Sequence, residues 1–173
     1  MLFELYDAPM ELVLKKQKSK LDKYSKQFLS FSAFSVLSTS NVKGNMDCSP
    51  RGDYPGFIQV LDDYTIAIPD RPGNNRLDSL SNIIENPNVG ILVLVPGFNE
   101  CLRINGTAKI ATNINLLERF EYQGKLPRSV IVVSISEVYF HCAKAITRSK
   151  LWKEESKVER DIMPSLGKIL MEQ

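Results

Sequence analysis

The stretch Leu102-Arg103-Ile104-Asn105-Gly106-Thr107-Ala108-Lys109-Ile110 alternates between apolar and polar residues more regularly than any other part of this 173-residue chain. Its even-numbered residues are apolar or small, and its odd-numbered residues are polar. A period of two is typical of a β-strand with one buried and one wetter face. The stretch therefore predicts a half-buried strand in an antiparallel sheet.

Further candidate strands lie on both sides of this stretch, and most are joined by short turns. They are Phe31–Thr39, Met46–Ser49, Phe57–Leu61, Tyr64–Ile68, Val89–Val95 and Val130–Phe140. Val89–Val95 is almost continuously apolar, which predicts a central strand buried on both faces. Six or seven strands with few helices between them favour an antiparallel barrel over an α/β sheet.

Helical patterns flank these strands. Apolar residues at helical spacing predict an N-terminal helix over residues 10–29 and a helical tail over about 161–173. Arg76–Glu85 is a third helix, for which Asn75 is the expected cap, with Asp78 completing a capping box. Two weaker patterns are a short helix over Asn113–Tyr122 and a helix or irregular crossing segment over His141–Trp152. We expect one domain, residues 1–173, that is mainly β with peripheral helices (α+β).

The bulk composition excludes several classes of function. A net charge of +2, 43% hydrophobic and 24% charged residues describe an ordinary globular protein and indicate no nucleic-acid partner and no membrane. Three scattered cysteines and a single histidine, His141, make a metal site unexpected and fit a reducing cytoplasm.

Two arginine-bearing turns, Ser49–Gly56 and Pro69–Arg76, carry the strongest sign of chemistry. Such turns expose backbone N–H groups, and the second leads into a helix N-terminus, where anions bind well. With Arg51, Arg71 and Arg76 nearby, the turns predict a site for a phosphate-bearing ligand. The alternative interpretation is a pair of solvent-exposed loops shaped by glycine and proline.

Simpler interpretations exist for the other candidates. Arg51 and Asp53 are close enough in sequence to form a structural ion pair across a tight turn. Arg103 and Asn105 could bind the edge of a heterocycle, but the wet outer side of a barrel is the simpler explanation. His141 has no nucleophile or carboxylate at a recognisable spacing.

The two turns together resemble the FMN-binding split-barrel family that includes pyridoxamine 5'-phosphate oxidase. The resemblance rests on Ser49-Pro50-Arg51-Gly52-Asp53-x-Pro55-Gly56 and on the run from Ile68 through Arg76 to Ile83, and Leu102–Ala108, Phe140–Ala145 and Arg148–Trp152 extend it over nearly the whole chain. It implies a six-stranded antiparallel split β-barrel and a homodimer with FMN in each of two clefts at the subunit interface. The C-terminal substrate-binding motif of the oxidase itself has no counterpart here, so the chain looks closest to an uncharacterised FMN-dependent branch.

The resemblance also implies roles for particular residues. Arg51 and Arg76 would hold the FMN phosphate, the chain around Ser49 would run along the flavin ring, and Trp152 would come from the partner subunit. The full set of implied cofactor-binding residues is Ser49, Pro50, Arg51, Gly52, Pro69, Asp70, Arg71, Asn75, Arg76, Arg103 and Trp152.

These observations lead to two functional hypotheses. The first is an FMN-dependent oxidoreductase acting on an unidentified small molecule, in which the flavin supplies the chemistry and the protein supplies binding and electrostatics. The second is a flavin- or haem-binding carrier, sensor or stress protein without turnover, with His141 as the one candidate haem ligand. A deazaflavin in place of FMN is also open, because its phosphate site would look similar.

Overall fold

The computed structural model describes residues 16–173 and confirms a mainly β protein with an antiparallel sheet and peripheral helices. The strands are β1 (Phe34–Ser40), β2 (Met46–Gly52), β3 (Gln59–Asp62), β4 (Thr65–Asp70), β5 (Asn88–Leu94), β6 (Cys101–Ala111) and β7 (Ser129–His141). The α-helices are α1 (Lys23–Phe31), α2 (Asp78–Glu85), α3 (Ile114–Glu118), α4 (Lys144–Ser149) and α5 (Leu166–Glu172).

The strands form one open sheet in the order β2-β1-β5-β6-β7-β4-β3. The prediction of a six-stranded barrel is therefore wrong in strand number, which is seven, and in closure, because β2 and β3 lie at the two open edges of the sheet that the described residues form. The number six came from the family resemblance, whereas the seven candidate strands found in the sequence, including the separate β3 and β4, all pair in the sheet.

Although its ladder is open, the sheet curls until its two ends meet. Arg51 at the end of β2 and Asp70 at the end of β4 are hydrogen-bonded at 2.7 Å, yet four strands lie between β2 and β4 in the ladder. Strands twist in one sense and the twist accumulates across a sheet, so a seven-stranded sheet can bring its ends together. Side chains, not backbone pairing, bridge the resulting seam.

Antiparallel register assigns the side chains of β1, β2, β5 and β6 to two faces. Ser35 lies opposite both Arg51 and Val93, and Val93 lies opposite Leu102, so these residues share the inner face. The outer face carries a different row, which is Val36, Ser38, Cys48, Pro50, Leu92 and Arg103. The alternation predicted over Leu102–Ile110 is confirmed by the burial of β6.

The prediction that Val89–Val95 is buried on both faces is wrong within one protomer. Along β5 burial alternates, with Val89, Ile91 and Val93 buried and the residues between them only half-buried. The strand buried on both faces is instead β7, over residues 129–133. There one face joins the main core, while Val130 and Val132 pack with Phe120, which follows α3, in a second cluster.

The first helix of the described chain is shorter than the predicted helix over residues 10–29. The part of that prediction before residue 16 lies outside the described residues, and α1 begins only at Lys23. The helix begins there because the Asp22 carboxylate accepts a hydrogen bond from the Ser25 N–H and so caps α1. Upstream, the Lys18 backbone exchanges hydrogen bonds with Val138, which holds the chain extended against β7.

Hydrogen bonding at Asp22 makes this carboxyl group unusually acidic. Burial by itself would raise its pKa, but the Lys18 ammonium and the Ser25 N–H and hydroxyl outweigh burial and lower the pKa of Asp22 to about 2. The cap therefore stays charged through the mildly acidic range and keeps stabilising the positive end of α1.

The chain after β7 forms only short helices. The crossing segment folds as α4, and the predicted tail over about 161–173 contains a single 3-10 turn, Arg160–Ile162, followed by α5. Within residues 16–173, no helix is long and apolar enough to cross a membrane.

Candidate functional site

A cleft of about 440 Å³ opens at the seam where the two ends of the sheet meet. This volume lies within the range of roughly 300–1,000 Å³ that is usual for small-molecule sites. Most of the predicted cofactor-binding residues line it together, and they are Ser49, Pro50, Arg51, Gly52, Pro69, Asp70, Arg71, Asn75 and Arg76. The two turns that the sequence singled out therefore form one site.

Two ion pairs cross between the turns at the inner end of this cleft. Arg51 Nη1 donates to Asp70 Oδ1 at 2.7 Å, and Arg71 Nε donates to Asp53 Oδ2 at 2.5 Å. All four side chains are less than a quarter exposed. The alternative of a local Arg51–Asp53 pair is wrong, because each aspartate serves the arginine of the other turn.

Each of these paired arginines keeps a buried donor without a partner. Arg51 Nε and Arg71 Nη2 make no hydrogen bond to any residue that the structure describes. Leaving such a donor unsatisfied in a buried place costs about 1–3 kcal/mol. Two arginines that line the cleft therefore carry donors that the described chain leaves unsatisfied.

The outer end of the cleft holds Arg76, Asn75 and a residue that sequence reasoning missed, Arg128. Arg128 Nη1 donates to Asn75 Oδ1 at 3.3 Å, and its backbone N–H donates to the Asp70 carbonyl at the same distance. Antiparallel pairing of Asp70 with Ser129 brings the start of β7 to this edge. Only knowledge of that pairing could have revealed Arg128 from the sequence.

The helix after the second turn presents its N-terminus to the cleft, but not through the predicted cap. α2 begins at Asp78, its N-cap residue is Leu77, and no side chain caps its first N–H groups. Asn75 instead adopts a left-handed φ of 59°, which asparagine tolerates well, and Asn74 accepts from the Arg76 N–H. The predicted capping box is therefore wrong.

Arg76 is far more exposed than Arg51 and Arg71. Its Nε donates to Asp78 Oδ2 at 2.8 Å, and its side chain is 76% exposed. This hydrogen bond, together with the charge of Asp78, raises the pKa of the Arg76 guanidinium. The group is therefore charged at every physiological pH.

Arg103 and Trp152 do not line this cleft within one protomer. Arg103 stands on the outer face, with its guanidinium 5.2 Å from the centre of the Tyr139 ring. Trp152 donates from its indole N–H to the Phe98 carbonyl at 2.7 Å, which ties it to the loop between β5 and β6. Their predicted roles toward a cofactor depend on a partner subunit and stay predictions.

His141 is also distant from the cleft lining. It lies at the end of β7 opposite Cys101, and its Nδ1 is buried without a partner among the described residues. No group of three or more metal-ligating side chains occurs within residues 16–173. A role for His141 toward a haem stays a prediction.

The class of protein defined here is a mainly β protein with a curled antiparallel sheet and an arginine-lined cleft at its seam. The sequence profile described as "Pyridoxamine 5'-phosphate oxidase" matches residues 21–142, which is well over half of the chain. The chain belongs to the pyridoxamine 5'-phosphate oxidase family. A comparison with curated proteins gives no match.

Solved structures show the same fold at low sequence identity. A putative pyridoxamine 5'-phosphate oxidase from Lactobacillus delbrueckii is 19% identical over 70% of this chain and 95% of its own, with a TM-score of 0.54. General Stress Protein 26 from Bacillus anthracis is 16% identical over 66% and 92%, with a TM-score of 0.50. An FMN-binding protein from Syntrophomonas wolfei is 12% identical over 76% and 92%, with a TM-score of 0.53.

Proposed function

We propose that the cleft binds FMN and that the protein is an FMN-dependent oxidoreductase acting on a small molecule. The observation that carries the proposal is a single cleft lined by four arginines, two of which keep N–H groups that the described chain does not satisfy. A flavin offers both a phosphate and neutral ring and ribityl acceptors, so it matches this donor set. The family, and a structural relative described as FMN-binding, support the same ligand.

Different residues of this chain would bind different parts of the cofactor. Backbone around Ser49 and Gly52 borders the inner cleft, where Arg51 and Arg71 donate, and Asn75 and Arg76 stand at the outer end. Bound FMN supplies hydride or electron transfer, while the protein sets position and charge. A guanidinium near the ring would favour negative charge on its reduced form.

We further propose a homodimer formed through the outer face. Leu92 and Leu94 on β5 and Val36 on β1 are apolar residues left half-buried in one protomer, and exposed Met46 lies at the end of the adjoining strand. Arg103 belongs to the same face, so a second copy docked there would place it at the interface. Light scattering should give twice the chain mass, and Leu92→Glu should give monomers.

A non-catalytic carrier or sensor is the second candidate function. The observation that favours it is that Asp53 and Asp70, the two carboxylates of the described cleft lining, are each paired with an arginine, so the cleft offers no carboxylate outside an ion pair. Rapid reduction of the bound flavin by a nicotinamide donor, followed by reoxidation with an acceptor, would favour the enzyme. A flavin that neither NADH nor NADPH reduces would favour the carrier.

The decisive test of the ligand is an absorption spectrum of the purified protein with mass spectrometry of what denaturation releases. We expect flavin bands and the mass of FMN; a deazaflavin or haem would be recognised by its own spectrum and mass. The double variant Arg51→Ala, Arg76→Ala should lose the flavin while keeping its circular dichroism. A fully loaded double variant would contradict the site, and a protein that binds no added FMN would contradict the function.

A further inference from the structure

The positive charge of the cleft is not evenly distributed. Four arginines and two aspartates line it, and both aspartates lie at the inner end, paired with Arg51 and Arg71. The inner end is thus close to neutral, although it is rich in donors. The surplus charge belongs to Arg76 and Arg128 at the outer end.

These two outer arginines differ in how far their charge is already compensated. Arg76 is hydrogen-bonded to the carboxylate of Asp78. Arg128 donates only to a neutral amide oxygen, that of Asn75, and has no carboxylate partner among the described residues. Of the cleft arginines in the described chain, Arg128 is therefore the one whose charge is uncompensated.

Neighbouring contacts hold Arg128 in position at this end of the cleft. Its backbone N–H is tied to the Asp70 carbonyl, and the next residue, Ser129, pairs with Asp70 in the sheet. Asn75, its side-chain partner, sits in the turn that leads into α2. Arg128, Asn75 and Arg76 therefore surround one spot from two separate chain segments.

We propose that Arg128 is the residue that recognises the terminal phosphate, with Arg76 and Asn75, and that Arg51 and Arg71 bind neutral acceptors instead. This inference rests on the proposed function, and it reassigns Arg51, which the family resemblance had placed on the phosphate. A guanidinium whose charge is already matched by a carboxylate, and which keeps further N–H groups, suits a carbonyl or hydroxyl oxygen. An uncompensated guanidinium suits a dianion.

The proposal predicts that the contributions of the two ends of the cleft to binding can be measured separately with two ligands. FMN carries the phosphate and riboflavin lacks it, while their rings and ribityl chains are the same. Arg128→Gln should weaken FMN binding by about tenfold or more, because a charge-assisted hydrogen bond is lost, and should leave riboflavin binding unchanged. Arg51→Gln should weaken both ligands by a similar factor.

The experiment measures the dissociation constants of FMN and riboflavin by flavin fluorescence at several salt concentrations. Lys125→Gln is the matched control, because it removes the same charge from the same loop but does not line the cleft. Arg128→Lys should retain part of the preference for FMN. The salt dependence of FMN binding should become shallower in Arg128→Gln and stay unchanged in Lys125→Gln.

Two outcomes would overturn the proposal, and they differ from failure of the proposed function. An unchanged FMN-to-riboflavin ratio in Arg128→Gln, or an equal loss of both ligands, would show that Arg128 does not recognise the phosphate. A selective loss of FMN in Arg51→Gln would return the phosphate to the inner end. If the wild-type protein bound neither flavin, the proposed function itself would be contradicted and this inference with it.

Discussion

Arg51 Nη1 lies 2.7 Å from Asp70 Oδ1, although the strands that carry these residues are separated by four others in the sheet. Together with the pair between Arg71 and Asp53, this contact ties the two ends of a curled sheet across a seam that no backbone ladder closes. Both side chains are less than a fifth exposed, so removing one partner should cost more than it would in a surface ion pair. The same residues that shape the cleft hold it together.

Removing the Asp70 carboxylate from its ion pair with Arg51 should change both the stability of the protein and the affinity of the cleft for anions. Asp70→Asn leaves the largely buried Arg51 charge without compensation, which should lower the free energy of unfolding by about 2 kcal/mol. The unpaired guanidinium should also make the inner cleft a better anion site. Thermal unfolding in increasing inorganic phosphate should therefore show a larger stabilisation of this variant than of the wild type.

Asp78→Asn is the matched control for that prediction. It removes a carboxylate from another cleft arginine, Arg76, but that ion pair is largely exposed to solvent. The stability of this variant should remain near that of the wild type. Equal destabilisation by both substitutions would contradict a specific role for the Arg51–Asp70 pair.

Periodicity was sufficient to predict the strands but not how they close. The alternation over Leu102–Ile110 and the β-branched run at Val130 were each found as strands, because side-chain period reports directly on burial. The burial of Val89–Val95 was overestimated, since an apolar run cannot distinguish a second core from a half-buried outer face. The two ends of the sheet meet through ion pairs between residues far apart in sequence, and such pairs produce no periodic pattern in the sequence.

The site was predicted to the extent that it is local in sequence. The turns at Ser49–Gly56 and Pro69–Arg76 carry glycine, proline and arginine in short windows, and the structure brings them together. Arg128 could not be found in the same way, because it joins the cleft only through the pairing of β4 with β7. The capping box at Asn75 failed because Asn75 takes a left-handed turn conformation instead.

Acid should selectively weaken the start of α1. Asp22 has a pKa of about 2 in the folded protein against an ordinary value of 3.8, so its contribution to stability is full above about pH 4 and is lost as the pH falls through 2. Asp22→Ala should cost about 1 kcal/mol at pH 7, while Asp22→Asn, which keeps a capping oxygen, should cost less. Urea unfolding should show the gap between wild type and Asp22→Ala closing from pH 4 to pH 2; a constant gap would contradict the charged cap.

The three cysteines should report on the proposed homodimer. Burial, with smaller effects from Cys142 and Glu100, raises the pKa of Cys101, so this thiol should react slowly with iodoacetamide at pH 8. Cys142 is exposed and should react quickly. Cys48 is exposed in one protomer but lies on the outer face, so a dimer formed there should protect it.

Leu92→Glu provides the control for the cysteine measurement. This substitution places a charge on the outer face and should restore rapid labelling of Cys48 without changing Cys101. Peptide mass spectrometry after timed labelling gives the rate at each site. Fast labelling of Cys48 in a wild-type sample that light scattering shows to be dimeric would place the interface elsewhere.

Gly106 should be the least replaceable glycine of the sheet. It sits at the irregularity where the register between β6 and β7 shifts, and a Cβ there would lie 2.1 Å from the Ser134 carbonyl oxygen and 3.2 Å from the Ile135 Cα. Because both neighbours are backbone atoms, the strands would have to separate, and Gly106→Ala should lower the free energy of unfolding by about 3 kcal/mol.

Gly90→Ala on the adjacent strand is the control, since the nearest neighbour of its Cβ would be the Asn105 side-chain oxygen at 3.4 Å. Chemical denaturation should show a large loss for the first variant and a small change for the second; similar stabilities would mean that the two strands do not approach as closely as this register requires.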